Sequence, residues 1–89
     1  MKAIVTVVGE DRVGIIGEIC TTLAAMQINI VDIRQTVMQN YFTMIMLVDT
    51  SSASTSFNEI SEGLAEKEKE MGLSIRIQRE DIFQAMHRV

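Results

Sequence analysis

Gly9-Glu10-Asp11-Arg12-Val13-Gly14 joins an apolar run, Ala3-Ile4-Val5-Thr6-Val7-Val8, to an amphipathic stretch that begins near Val13. The run is short and rich in β-branched residues, which reads as a strand. In the stretch that follows, Ile16, Ile19, Cys20, Leu23 and Met26 share one stripe at helical spacing. The quoted segment is therefore a strand-to-helix turn, and Asp11 is expected as the helix N-cap. Such a turn leaves backbone N–H groups free at a helix N-terminus, where they attract carboxylates and other anions. Gly9 and Gly14 allow a ligand or a neighbouring chain to approach the backbone with no Cβ in the way. The segment reads as a small-molecule pocket rather than a reaction centre.

Outward from this turn the chain alternates strand, helix, strand, strand, helix, strand, with a short tail. The first strand is expected over residues 2–8 and the first helix over residues 13–26. Strands over residues 28–38 and 41–49 flank Gln39-Asn40, a tight hairpin turn because Asn tolerates positive φ. Asn29-Ile30-Val31-Asp32 opens the second strand, and Asp32 and Arg34, two apart on one strand face, read as a surface pair. Residues 50–56 are a serine-rich loop, after which Ser56 and Glu59 have the spacing of a capping box. A second helix places Phe57, Ile60, Leu64 and Met71 inward and stops at Gly72, a suitable C′ residue. The fourth strand is expected over residues 73–78, and residues 81–89 read as a short helix with Ile82, Phe83 and Met86 apolar.

Strand composition orders the sheet. The fourth strand alternates, with Leu73, Ile75 and Ile77 against Ser74, Arg76 and Gln78, and the second mixes in polar side chains. The first and third are apolar on nearly both faces, which puts them in the centre and gives the order 4-1-3-2. This is the ferredoxin-like α+β arrangement, a single domain with two helices on one face of an antiparallel sheet. Two helices cover only one face, so the other, to which Met44 and Met46 are assigned, needs the C-terminal helix, a partner subunit or both. A homodimer or higher homo-oligomer is expected.

Composition narrows the function. The chain has 89 residues, 47% of them apolar, and a formal charge of −4. An acidic surface repels phosphate backbones, so no direct nucleic-acid partner is expected. The apolar run near the start is too short for a signal peptide or a membrane span, and a single cysteine fits a reducing compartment, so a cytoplasmic location is expected. Cys20 falls on the inward helical stripe and reads as a small hydrophobe. His87, with one carboxylate near it, is too little for a metal site. No cofactor and no catalysis are expected, because no base stands beside a nucleophile. The loop after the first strand lacks the Cys-x-x-Cys of metal chaperones, and that strand lacks the stacking aromatics of RNA-recognition domains.

Across essentially its whole length the chain resembles an ACT domain. The resemblance rests on the βαββαβ order, on Gly9-x-Asp11-x-x-Gly14 opening the first helix, and on Asn29-Ile30 opening the second strand. It is similar above all to the small stand-alone bacterial ACT proteins, whose ending resembles Ile82-Phe83-Gln84-Ala85-Met86-His87-Arg88. The resemblance implies a regulatory module that binds an amino acid or similar small effector at an interface between paired domains. It implies that the backbone of Asp11, Arg12, Val13 and Gly14 receives the ligand's carboxylate. Asn29 then supplies a side-chain amide, and Ile30 supplies backbone groups. Asp11 serves either as a helix cap or as a contact for an ammonium. Serine-binding members carry an amide where Gly9 stands and a histidine where Val7 stands, so a smaller or differently anchored ligand is expected. The alternative is a protein-interaction module without a ligand, working through its edge strand or open sheet face on a transcriptional or metabolic partner.

Overall fold

The computed structural model describes residues 1–86 of the chain. The elements run β1 (Lys2–Glu10), α1 (Ile15–Ala25), β2 (Asn29–Met38), β3 (Tyr41–Asp49), α2 (Phe57–Met71), β4 (Ser74–Arg79) and α3 (Glu80–Met86). The strands form one antiparallel sheet in the order β2-β3-β1-β4, the arrangement expected from their composition. His87 lies outside the described residues.

Alternation decides which side of the sheet is dry. Ala3, Val5 and Val7 of β1 pair with Val48, Met46 and Met44 of β3, and all six are buried beneath the helices. The expectation that Met44 and Met46 belong to the open face is therefore corrected. Their Cβ atoms share the parity of Val5 and Val7, and strand parity is all or nothing. The open face carries Ile4, Thr6 and Val8 from β1 and Thr43, Ile45 and Leu47 from β3. Val8 and Ile45 are 40% and 42% exposed, so the apolar second face persists although α3 packs against β1 and β4.

The first helix begins later than its apolar stripe suggested. Its N-cap is Gly14, at φ 92° and ψ −2°, with no side-chain cap. Asp11 is not the cap. Its N–H donates instead to the Asn40 carbonyl at 2.8 Å, tying the β1–α1 loop to the hairpin turn. The buried stripe is Ile15, Ile19 and Leu23, while Ile16 is exposed and Cys20 only half-buried. The sheet selects this phase, since both stripes have helical spacing and only one can face it. Positive φ in the hairpin turn is taken by Gln39, at 57°.

The second helix follows its local signals closely. Ser56 Oγ accepts the Glu59 N–H and Glu59 Oε1 accepts the Ser56 N–H, each at 3.3 Å, so the capping box forms. Gly72 ends the helix at φ 67°, donating its N–H to the Glu68 carbonyl at 3.0 Å. The Glu68 carboxylate then accepts the Ile75 N–H at 2.7 Å, fixing where β4 begins. On β2, Arg34 and Asp32 form the expected exposed pair at 3.6 Å.

Candidate functional site

The loop between β1 and α1 stands at one end of the sheet. Gly9 lies within β1, half-buried and paired with Phe42, while Asp11, Arg12, Val13 and Gly14 are exposed. Val13 projects wholly into solvent. With Gly14 as N-cap, the first intrahelical bond runs from the Glu18 N–H to the Gly14 carbonyl at 3.0 Å. The N–H groups of Ile15, Ile16 and Gly17 precede it and point out of the helix start. A helix start of this kind favours an anion through both its N–H groups and its dipole.

Depressions flank this loop on both sides. One of about 300 Å³ runs between the start of α1 and β2, with Asp11, Arg12 and Gly14 on one wall and Gln35 and Val37 on the other. A smaller one of about 170 Å³ lies between the loop and the end of α2, against Met71, Gly72 and Leu73. The first combines what an amino acid needs. It has exposed helical N–H groups and the Arg12 guanidinium for a carboxylate, the Asp11 carboxylate for an ammonium, and apolar Val37 and Phe42 for a side chain.

Gln35 and Val37 were not foreseen as lining residues. The signal was available, because the Gln39-Asn40 turn pairs Met38 with Tyr41 and hence Val37 with Phe42 and Gln35 with Met44. That register puts both on the helix side of the sheet, beside the start of α1.

Asn29 and Ile30 are not near the loop in the same chain. Asn29 pairs with Asp49, which pairs with Lys2, whereas the loop follows Glu10, which pairs with Tyr41 and so with Met38. The two halves of the candidate site are separated by the length of β2, ten residues or about 30 Å. The strand between them is an edge of the sheet, exposed at every residue from Val31 to Met38. Its apolar members include Val31, Val37 and Met38, at 48%, 50% and 69% exposure. A register shift between Ile30 and Asp32 leaves Val31 as a bulge near the Asn29 end.

No group of three or more His, Cys, Asp or Glu side chains that could hold a metal ion occurs among the described residues. None of the described helices is long and apolar enough to cross a membrane.

Comparison with known proteins agrees with this fold. A UPF0237 protein of Clostridium acetobutylicum is 56% identical over 89 residues, covering 100% of both chains. The structure of an ACT domain protein from Streptococcus pneumoniae superposes with a TM-score of 0.82 at 38% identity, covering 98% of each chain. A formyltetrahydrofolate deformylase from Pseudomonas syringae shares the fold, with a TM-score of 0.80 at 18% identity, over 88% of this chain and 27% of the enzyme. The ACT domain family model matches residues 2–78, spanning every strand but the last residue of β4 and both helices of the dry face. The chain therefore belongs to the ACT domain family, a family of regulatory ligand-binding modules.

Proposed function

We propose that this protein is a non-enzymatic, cytoplasmic regulatory module that binds a small effector, an amino acid, at a site shared by two copies of the chain. The observation that carries this reading is the separation of the site's halves along an exposed edge strand. If two β2 edges pair antiparallel about a two-fold axis, the Asn29 end of one copy lies beside the Met38 end of the other. Asn29 and Ile30 of one protomer then complete the groove formed by Asp11, Arg12, Val13 and Gly14 of its partner. The exposed apolar side chains of β2 support such pairing, since a long bare edge invites another strand. The effector's carboxylate meets the helix start and Arg12, and its ammonium meets Asp11 and the Asn29 amide. The effector then shifts association by its difference in affinity between paired and single chains, and by no more than that.

The apolar open face around Val8 and Ile45 favours a second reading, a protein-interaction module that needs no ligand. Thermal unfolding against the twenty amino acids, run beside light scattering, separates the two. A melting temperature that rises with one amino acid and tracks its concentration supports the effector reading. A flat response from a folded oligomer overturns it and leaves the interaction module.

A further inference from the structure

All of the chain's net charge sits on its helical layer. α1 and α2 carry six carboxylates against two lysines, which accounts for the whole −4, while the strands, loops and tail hold six charges of each sign. On α2, Glu59, Glu62, Glu66 and Glu70 recur at spacings of three and four and share one exposed flank. Lys67 is bound to Glu70 at 3.2 Å, and Glu62 and Glu66 have no cationic partner among the described residues.

This flank borders a groove of about 410 Å³ between the two helices, with Thr22 and Ala25 of α1 and Met26 just after it on one wall and Gly63, Glu66 and Lys67 of α2 on the other. Gly63 lies inside α2, where glycine weakens a helix. The fold does not require it. A Cβ there would meet only the Met26 sulfur, at an ordinary 3.7 Å. The missing side chain instead leaves the groove open at its centre, above a methionine that can adapt to what enters.

The charge selects the occupant. A second copy of this chain presents the same acidic layer and is repelled, and nucleic acid and anionic lipid are repelled in the same way. A cationic helix with one apolar stripe satisfies both the groove and its rim, because helices seat apolar side chains between the ridges of two others.

We propose that the α1–α2 groove docks a basic amphipathic helix of a regulated partner protein, seating an apolar side chain over Gly63 with Lys or Arg beside Glu62 and Glu66. The proposal rests on the reading of the chain as a regulatory module and names the surface through which it acts. It also keeps the partner away from the effector groove and the β2 edge, so effector and partner can bind together.

The test uses a synthetic helix built only of leucine and lysine, and a scrambled peptide of the same composition with no apolar stripe. Titrated into isotope-labelled protein, the amphipathic helix is expected to shift the amide signals of Thr22, Ala25, Gly63 and Glu66. Gly63→Leu fills the groove without changing charge and keeps a helix-compatible residue, so the fold survives and affinity falls about tenfold or more. Gly63→Ala fits beneath Met26 and retains binding. Glu62→Lys with Glu66→Lys weakens binding to a similar degree. Equal binding of the scrambled peptide, or full affinity in Gly63→Leu, means adhesion to an acidic surface and overturns the proposal, as do shifts confined to β2 or the open sheet face. Gly63→Leu leaves the thermal response to amino acids untouched, so failure here does not count against the effector reading. Conversely, Gly14→Val removes that response while groove binding stays measurable.

Discussion

The Cδ2 atom of Leu73 occupies the space that a Cβ on Gly9 would need. Gly9 belongs to the loop signature from which a ligand site was read, yet within this chain it serves packing between β1 and the start of β4. Leu73 is buried at 6% exposure, so its side chain cannot swing into solvent without opening the core. Gly9→Ala is expected to destabilise the fold by about 1–3 kcal/mol through overpacking. Combined with Leu73→Ala, it costs far less than the sum of the two, because the pair shares one volume. Urea unfolding of the four proteins in this cycle checks the coupling, and strict additivity would show that the contact is not the reason for the glycine.

Gly14 answers to a different constraint. Its φ is 92°, and nothing lies within 4 Å of where its Cβ would stand. The expectation that Gly14 serves close approach is therefore replaced, within one chain, by a conformational need. Gly14→Val places a β-branched residue in left-handed backbone, at a cost of about 1–2 kcal/mol, and tilts the N–H groups at the start of α1. Gly14→Asn is expected to cost less, since Asn visits this region more readily. Thermal unfolding should rank Gly14 above Asn and Asn above Val, with the amino-acid response lost in Val.

A site shared between copies has a signature that a site within one chain lacks. Asn29→Ala and Gly14→Val should each abolish the amino-acid response when present in every subunit. Unfolded together and refolded as a mixture, they form heterodimers in which one site pairs an intact loop with an intact Asn29. Calorimetric titration of the mixture should recover binding that neither variant shows alone. No recovery, with mixed dimers confirmed by mass spectrometry, would place the site within one chain.

Acid stability should register Asp49. Its carboxylate accepts hydrogen bonds from the Ser51 hydroxyl at 2.6 Å and the Ser51 N–H at 2.9 Å. These bonds favour the ionised form and hold its pKa below the ordinary 3.8, the hydroxyl contributing most. A carboxyl depressed in the folded state contributes stability above its unfolded pKa and loses it as pH falls through the folded one. The contribution is thus complete at neutral pH and fades below about pH 4. Asp49→Asn should lower the urea midpoint at pH 7 and flatten its decline over the acid range. An unchanged slope would mean that Ser51 does not discriminate between the two protonation states.

Much of the architecture was legible because its signals are local. The Ser56–Glu59 spacing specifies a helix start that the structure realises on both hydrogen bonds, and Gly72 ends the same helix in left-handed backbone. Within the site, Asp11 to Gly14 stood at a strand-to-helix turn as expected. Gln35, which lines the same groove, was legible only through the hairpin register, since nothing in its own neighbourhood marks it. Asp11 misled because a carboxylate before a helix caps it only if the backbone turns at that residue, and here the turn falls three residues later.

By itself the sequence determined the element order, the strand order and the family, because apolar periodicity and turn chemistry act over a few residues and survive any global arrangement. Tertiary structure alone decided two further matters. It chose Ile15 over Ile16 for the core and put Met44 and Met46 under the helices. The reason is common to both. Helix phase and strand parity are set by which face meets the rest of the chain, and a shift of one residue reverses that choice without disturbing the local pattern.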